Sequence, residues 1–400
     1  MNIYRRILTV ICITLALLAL LVVKSELKSV AASTDPNITT TPGVSQSQQP
    51  QPPQAKEKTI GETQKNIKVL NDLPASELIP MMNLMAASLG VKCGFCHVNK
   101  NGQWDFPLDD KPEKNTAREM IAMTLNINKT AFKGNTEVSC FSCHRGRTRP
   151  VSLVELPVPE PTPRPTATAV ATQPPAQPTS DDVLNKFTAA IGGQAAIDKL
   201  KTSIAKGTYT LADGSTGSYE ITQSAPNKFH IVRGVRQGTT ELGYNGTDAW
   251  QKDSRGVSDV RGDQLVDFKT EGQLFRNFKL REQYTRVNIR RDKIDGKDVF
   301  AITGVRPDKK RERLFFDADT GLLLRRMGFT ETPLGLVPEQ TDFEDYRDVD
   351  GVKVPFTVKI YVVGGFSTAT RKFSEIKFNV PVDDAQFNKP AVSAAAPAKQ

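Results

Sequence analysis

The spacing of apolar positions changes character several times along the chain. After Arg5-Arg6, an uncharged apolar run extends from Ile7 to Val23, long enough to cross a bilayer. The same run, followed by Val30-Ala31-Ala32, also fits a secretory signal with a cleavage site. Residues 1–32 are therefore expected to be a signal peptide or an uncleaved membrane anchor, and the paired arginines place the remainder outside the inner membrane. Residues 33–59, including Gln46–Gln54, have almost no apolar content and read as a disordered tether. From 60 to 152 the spacing becomes helical. Leu78, Met82, Met85 and Leu89 predict one apolar face, and Ala117, Met120, Thr124 and Ile127 another. Asp110 with Glu113 predicts a cap for the second helix, and Pro112 suits its first turn.

Residues 153–180 form a proline-rich linker. At ~3.1 Å per residue, roughly 25 extended residues could hold two domains up to ~75 Å apart. Beyond it, Ser180-Asp181-Asp182 predicts the start of a short helix ending at Gly192-Gly193, with a second short helix through Leu200. The pattern then alternates with period two at 207–211, 218–222, 228–232, 286–290, 299–302, 313–316, 322–325 and 356–361. Turn signals at Asp213-Gly214, Asn245-Gly246, Asp295-Gly296, Asp319-Thr320-Gly321 and Asp350-Gly351 punctuate the run. The expected fold is multidomain: a small, mainly α domain at 60–152, then an antiparallel β domain at 181–390. The latter is expected to be a curved sheet or half-open barrel with short helices. Residues 391–400 read as a disordered tail.

Charge changes this picture little. The formal net charge of +9 is spread along the chain, with no basic stripe interleaved with aromatics, so nucleic acid is not an expected partner. Lys309-Lys310-Arg311-Glu312-Arg313 reads as a solvated hairpin end, and Asp-Gly pairs as turns rather than calcium ligands. No acid–base pair, nucleophile or phosphate loop stands out in the β domain.

Cysteine changes it a great deal. Four of the five cysteines form two pairs, each followed at once by histidine: Cys93-Gly94-Phe95-Cys96-His97 and Cys140-Phe141-Ser142-Cys143-His144. The fifth, Cys12, lies in the apolar run and reads as an ordinary thiol. Two thiols three residues apart on a helical turn reach both vinyl groups of a haem, and the following histidine projects on the same side to bind the iron. The expected cofactors are two covalently bound haem c groups, attached through Cys93, Cys96, Cys140 and Cys143, with His97 and His144 as iron ligands. Structural zinc, a thioredoxin-like redox site and two disulfides are the rival readings, and zinc and disulfides leave both histidines unexplained.

Each iron needs a sixth ligand, and His230 is the one other histidine, in a strand of the distal domain. Met81, Met82 and Met85 precede the first motif; Met120 and Met123 precede the second. Any one helical methionine is ordinarily core packing. As sets, one helix with thioethers before each motif favours His/Met ligation. That raises the potential and closes the iron to oxygen and peroxide, which points to electron transfer and not to an enzyme.

Three stretches resemble the cytochrome c subunit of photosynthetic reaction centres: Met82–Cys93, Asp109–Met120 and Cys140–Gly146. The resemblance covers about 68–150. It implies Met82 as sixth ligand of the first haem and Met120 of the second, with Met85 and Met123 packing against the rings; Met81 is a further candidate for either role. Members usually bear four haems, and this chain has motifs for two, so a photosynthetic reaction centre and a respiratory complex are both open as redox partner. The distal domain resembles the periplasmic lipoprotein-carrier type through Ile191–Ala196, Gly243–Trp250, Phe316–Leu323 and Asp345–Gly351. The alternative functions are a carrier or sensor of an apolar ligand such as a lipid or quinone in the β domain, and a dihaem peroxidase. In every case the expected location is periplasmic, with or without an N-terminal anchor in the inner membrane.

Overall fold

A computed structural model describes residues 57–152 and 177–391, apart from 236–237, 262–264, 266–267, 271 and 365–367. The apolar N-terminal run with Cys12, most of the tether and the tail lie outside the described residues. So does most of the linker. Among the described residues no helix is long and apolar enough to cross a membrane. All of them belong to one unit, Lys56–Gln400.

The N-terminal module is built on two helices. A capping box between Thr59 and Glu62 opens the short α1 (Ile60–Thr63). Helix α2 (Leu78–Leu89) tolerates Pro80 because first-turn N–H groups have no intrahelical partner, and Gly90 ends it at φ +66°. Helix α3 (Pro112–Ala131) has proline at its first position, but its N-cap is Lys111 and no side chain caps it. The expected Asp110 cap is thus corrected: the preceding loop is held by its neighbour Asp109, which pairs with Lys68, Lys114 and Arg118.

The expected core faces are also shifted. On α2 the buried positions are Met81, Leu84 and Ser88, and Leu78, Met82, Met85 and Leu89 are half-buried. On α3 the buried positions are Ile121, Thr124 and Asn128, leaving Met120 and Ile127 half-buried beside them. Both helices turn these buried faces into one cluster with Ile60. After the first cysteine motif comes a small hairpin, β1 (Val98–Lys100) and β2 (Gln103–Asp105), turning at Asn101-Gly102 with both φ angles positive.

The C-terminal domain is one open antiparallel sheet. Strands β3 (Thr202–Leu211), β4 (Thr216–Ser224), β5 (Lys228–Val235), β6 (Gly238–Tyr244), β7 (Ala249–Asp253) and β8 (Gly256–Asp259) step outward to one edge. The chain then crosses to the far edge and returns inward. It does so through β9 (Arg286–Ile294), β10 (Lys297–Val305), β11 (Arg311–Asp317), β12 (Leu323–Thr332), β13 (Gly335–Val349), β14 (Val352–Val362) and β15 (Ala369–Phe378). Pairing of β15 with β3 joins the two halves.

Helix α5 (Ser180–Ala190) covers the face formed by β10 to β14, after the short α4 (Cys140–His144) of the module and before α6 (Gln194–Ile197). Val183, Leu184, Phe187 and Ile191 interlock there with Ile302, Leu314, Phe316, Leu323, Phe343 and Val358. The N-cap of α5 is Thr179, bonded reciprocally with Asp182, one residue earlier than expected. All five expected turn signals lie between paired strands.

The two domains are not held apart. The β12–β13 turn inserts Leu334, fully buried, into the α2–α3 cluster of Ile60, Met81, Leu84 and Ile121. Burying one leucine this way contributes about 2 kcal/mol. Whatever reach the linker has, its ends belong to domains in contact.

Candidate functional site

Both cysteine motifs fold as helical turns. In the first, Cys93–Phe95 is a 3-10 turn and the His97 amide donates to the Cys93 carbonyl at 3.0 Å, one full turn back. The second is α4, with Ser139 as N-cap in a reciprocal bond with Ser142. Each turn brings two thiols and one imidazole to one side. All four thiols are free, and no group of three or more His, Cys, Asp or Glu side chains with metal-binding geometry occurs among the described residues. Neither zinc nor a disulfide has geometric support there.

The imidazoles differ. His144 Nδ1 lies 2.9 Å from the Arg147 carbonyl oxygen. Donating to that oxygen fixes the tautomer and leaves Nε2 free as a ligand. Burial lowers the pKa of His97, and Lys114, Arg118 and Lys111 act in the same direction against the Phe106 backbone. The neutral ring, the ligating form, is favoured. His97 Nδ1 is buried and makes no hydrogen bond of ordinary geometry, and the Phe106 ring packs edge-on at 5.1 Å. Burial also raises the Cys96 and Cys140 thiols.

The surroundings are what a large planar apolar group requires. Among the described residues, the most exposed large apolar side chains of the module are Ile79, Phe95, Trp104, Phe106, Met123, Phe132 and Phe141. Phe141, inside the second motif, is 55% exposed, and Met123 is 45% exposed. Trp104 and Phe106 stack at 5.6 Å on the β1–β2 hairpin directly after His97. The much larger β domain leaves just Leu336 and Tyr361 comparably open among the described residues. Apolar surface concentrated in this way calls for a covering group.

The methionines divide. Met81 is fully buried against Leu84, Ile121 and Leu334 and serves packing. Met82 is on the half-buried strip of α2, Met85 touches the buried cluster from that strip, Met120 is half-buried on α3 and Met123 is exposed there.

Three positioning features are not evident from residue patterns. Asn128 of α3 is buried; its amide donates to the Val138 carbonyl and accepts from the Val138 and Glu137 amides, pinning the segment that leads into Cys140. Its signal was a polar residue at a core-facing position, which demands partners. Gly90 packs on Gly146: a methyl at Gly90 would come within 2.2 Å of the Gly146 carbonyl oxygen, and the Gly146 amide donates to Ser88. Lys111 donates to the Gly94 carbonyl, tying the first motif to α3.

The β domain offers less chemistry. His230 sits in β5, 3.2 Å from Glu241 and packed on Trp250, a structural role. Glu312, expected in a solvated hairpin end, is instead buried with Arg276, Arg306, Arg326 and Tyr284. Burial alone would raise its pKa; Arg276 and Arg326 outweigh that and hold it at about 2. The cavity beside it measures about 100 Å³ and is lined largely by charged groups.

Two thiols and an imidazole on one turn, twice, beside exposed aromatic side chains, form the arrangement that covalent haem attachment of c type requires, in a module packed on an open β-sheet domain. Residues 26–183 match the family model described as photosynthetic reaction centre cytochrome C subunit, a family of electron-transfer proteins with covalently bound haem c. The C-terminal half is similar to several solved structures. One is a DUF1329 family protein from Desulfovibrio piger, at 15% identity and TM-score 0.39 over 53% of this chain and 98% of that one. Another is a LolA superfamily protein from Nitrosomonas europaea, at 12% identity and TM-score 0.39 over 53% and 99%. A putative outer membrane lipoprotein-sorting protein domain from Vibrio parahaemolyticus aligns at 15% identity and TM-score 0.37 over 52% and 95%.

Proposed function

We propose that the protein is an exported dihaem c-type cytochrome that passes electrons to or from a membrane redox complex, either a photosynthetic reaction centre or a respiratory complex. The observation that carries this reading is the folding of both Cys-x-x-Cys-His segments as helical turns beside apolar surface that no other described residue covers. Cys93 and Cys96 would hold one haem and Cys140 and Cys143 the other, with His97 and His144 as proximal ligands. Met82 and Met120 are the favoured sixth ligands, with Met85 and Met123 against the rings. When bound, haem supplies a one-electron iron couple. The chain's contribution is to fix the imidazole tautomer, to present a thioether that raises the potential, and to keep water off the rings with Phe95, Trp104, Phe106, Phe132 and Phe141. A closed six-coordinate site favours a relay over peroxide chemistry.

A potentiometric titration of the exported full-length protein is expected to resolve two reversible one-electron steps. Peroxide turnover by the intact protein, or the absence of any redox step, would contradict the proposal.

A further inference from the structure

The turn joining β12 and β13 is an unusual place to find a fully buried leucine. Thr332, itself buried, donates its hydroxyl to the Gly335 carbonyl at 2.7 Å and shapes the turn before it meets anything else. Leu334 then enters the cluster of Ile60, Met81, Leu84 and Ile121, and Val337 packs behind it. Gly335, at φ +142°, lies so close to the module that a methyl there would sit 2.8 Å from Ser139 Cβ and 3.2 Å from Leu84 Cδ2. Gly364, after β14, makes a second close approach: a methyl would come within 2.6 Å of Asn83 Cγ.

The close approaches of Gly335 and Gly364 fall on two particular elements. Leu84 and Asn83 belong to α2, whose half-buried strip carries Met82. Ser139 is the N-cap of α4, the residue next to Cys140. One hairpin tip thus touches both the helix that precedes the first attachment motif and the residue that starts the second. The module's own cross-link between the same elements runs from the Gly146 amide to the Ser88 carbonyl at 2.8 Å, at the far end of each. The hairpin tip fastens the end that this bond leaves unfastened.

We infer that the tip Pro333–Gly335 is a positioning element of the β domain that fixes α2 against α4 and so sets the ligand environment of the haems. This rests on the dihaem reading above. Leu334 and Gly335 touch no haem ligand; they act through Leu84 and Ser139. The β domain is then a structural part of the redox centre, and not a passenger on a flexible tether.

The test uses the full-length exported protein. Leu334→Ala is expected to keep two attached haems while shifting the midpoint potential of at least one and weakening the sulfur–iron charge-transfer band. Leu334→Ile should restore wild-type behaviour, and Leu336→Ala, an exposed neighbour on the same hairpin, should change nothing. Two attached haems with potentials and band identical to wild type in Leu334→Ala would overturn the inference. Fewer than two haems in the wild-type protein would instead sink the dihaem reading and leave the docking untouched. A second measurement needs no altered core. With a protease site inserted in segment 153–176, the cleaved wild-type halves should still co-elute, and separate elution would overturn the inference.

Discussion

Replacing Met82 or Met120 by alanine is expected to remove the sulfur–iron charge-transfer band of one haem and lower that haem's potential, because a soft thioether stabilises ferrous iron. Met81→Ala should instead cost about 2–5 kcal/mol of stability, as truncation of a fully buried side chain does, with both bands kept. Spectra and potentials of the three variants separate ligand from packing. In the β domain, Glu312 controls acid stability. Its folded pKa of about 2 lies below the ordinary 4.5. The stabilisation is therefore complete above about pH 4.5 and is lost as pH falls towards 2, an effect on the order of 3 kcal/mol. Glu312→Gln should lose a similar amount at neutral pH, by removing the Glu312 charge that faces Arg276 and Arg326, and denaturant titrations between pH 2 and 7 should show a flatter acid dependence.

Among the elements, hairpins announced by Asp-Gly or Asn-Gly were the most legible, because a two-residue turn needs positive φ at both positions. Asp350 and Gly351 adopt +55° and +84° between β13 and β14. A methyl at Gly351 meets nothing within 4 Å, so Gly351→Ala should cost about 1–2 kcal/mol through backbone conformation alone. A thermal melt checks this, and an unchanged midpoint would refute it. Asn101-Gly102 carried the same signal in a stretch too polar to be read as strands. Strand β13 is hidden for another reason: Pro338 and scattered acidic residues break the alternation, and Asp345, at positive φ, is left without a paired partner while the register continues unchanged on either side. On α2 the buried face lies about a quarter turn from the expected one, whereas on α3 Thr124 is buried as expected and its neighbours are half-buried; apolar side chains on both helices exceed what the described core covers.

At the scale of the molecule, the helical turns of both Cys-x-x-Cys-His segments were legible in the sequence, since their spacing is local. Docking was not. Pro333-Leu334-Gly335 reads like any turn, and its burial depends on a surface made by residues roughly 250 positions earlier. Similarly, Glu312 in a basic pentapeptide resembles a solvated end until the crossing segment brings Arg276 over it. The N-terminal module thus packs on its own β domain through Leu334. The most direct test of the central claim is the intact mass of the mature exported protein under denaturing conditions. The expected mass is raised by two haem groups that survive denaturation, falling to one in Cys140→Ala/Cys143→Ala; a mass equal to the polypeptide alone, or raised by a single haem, would contradict the dihaem proposal.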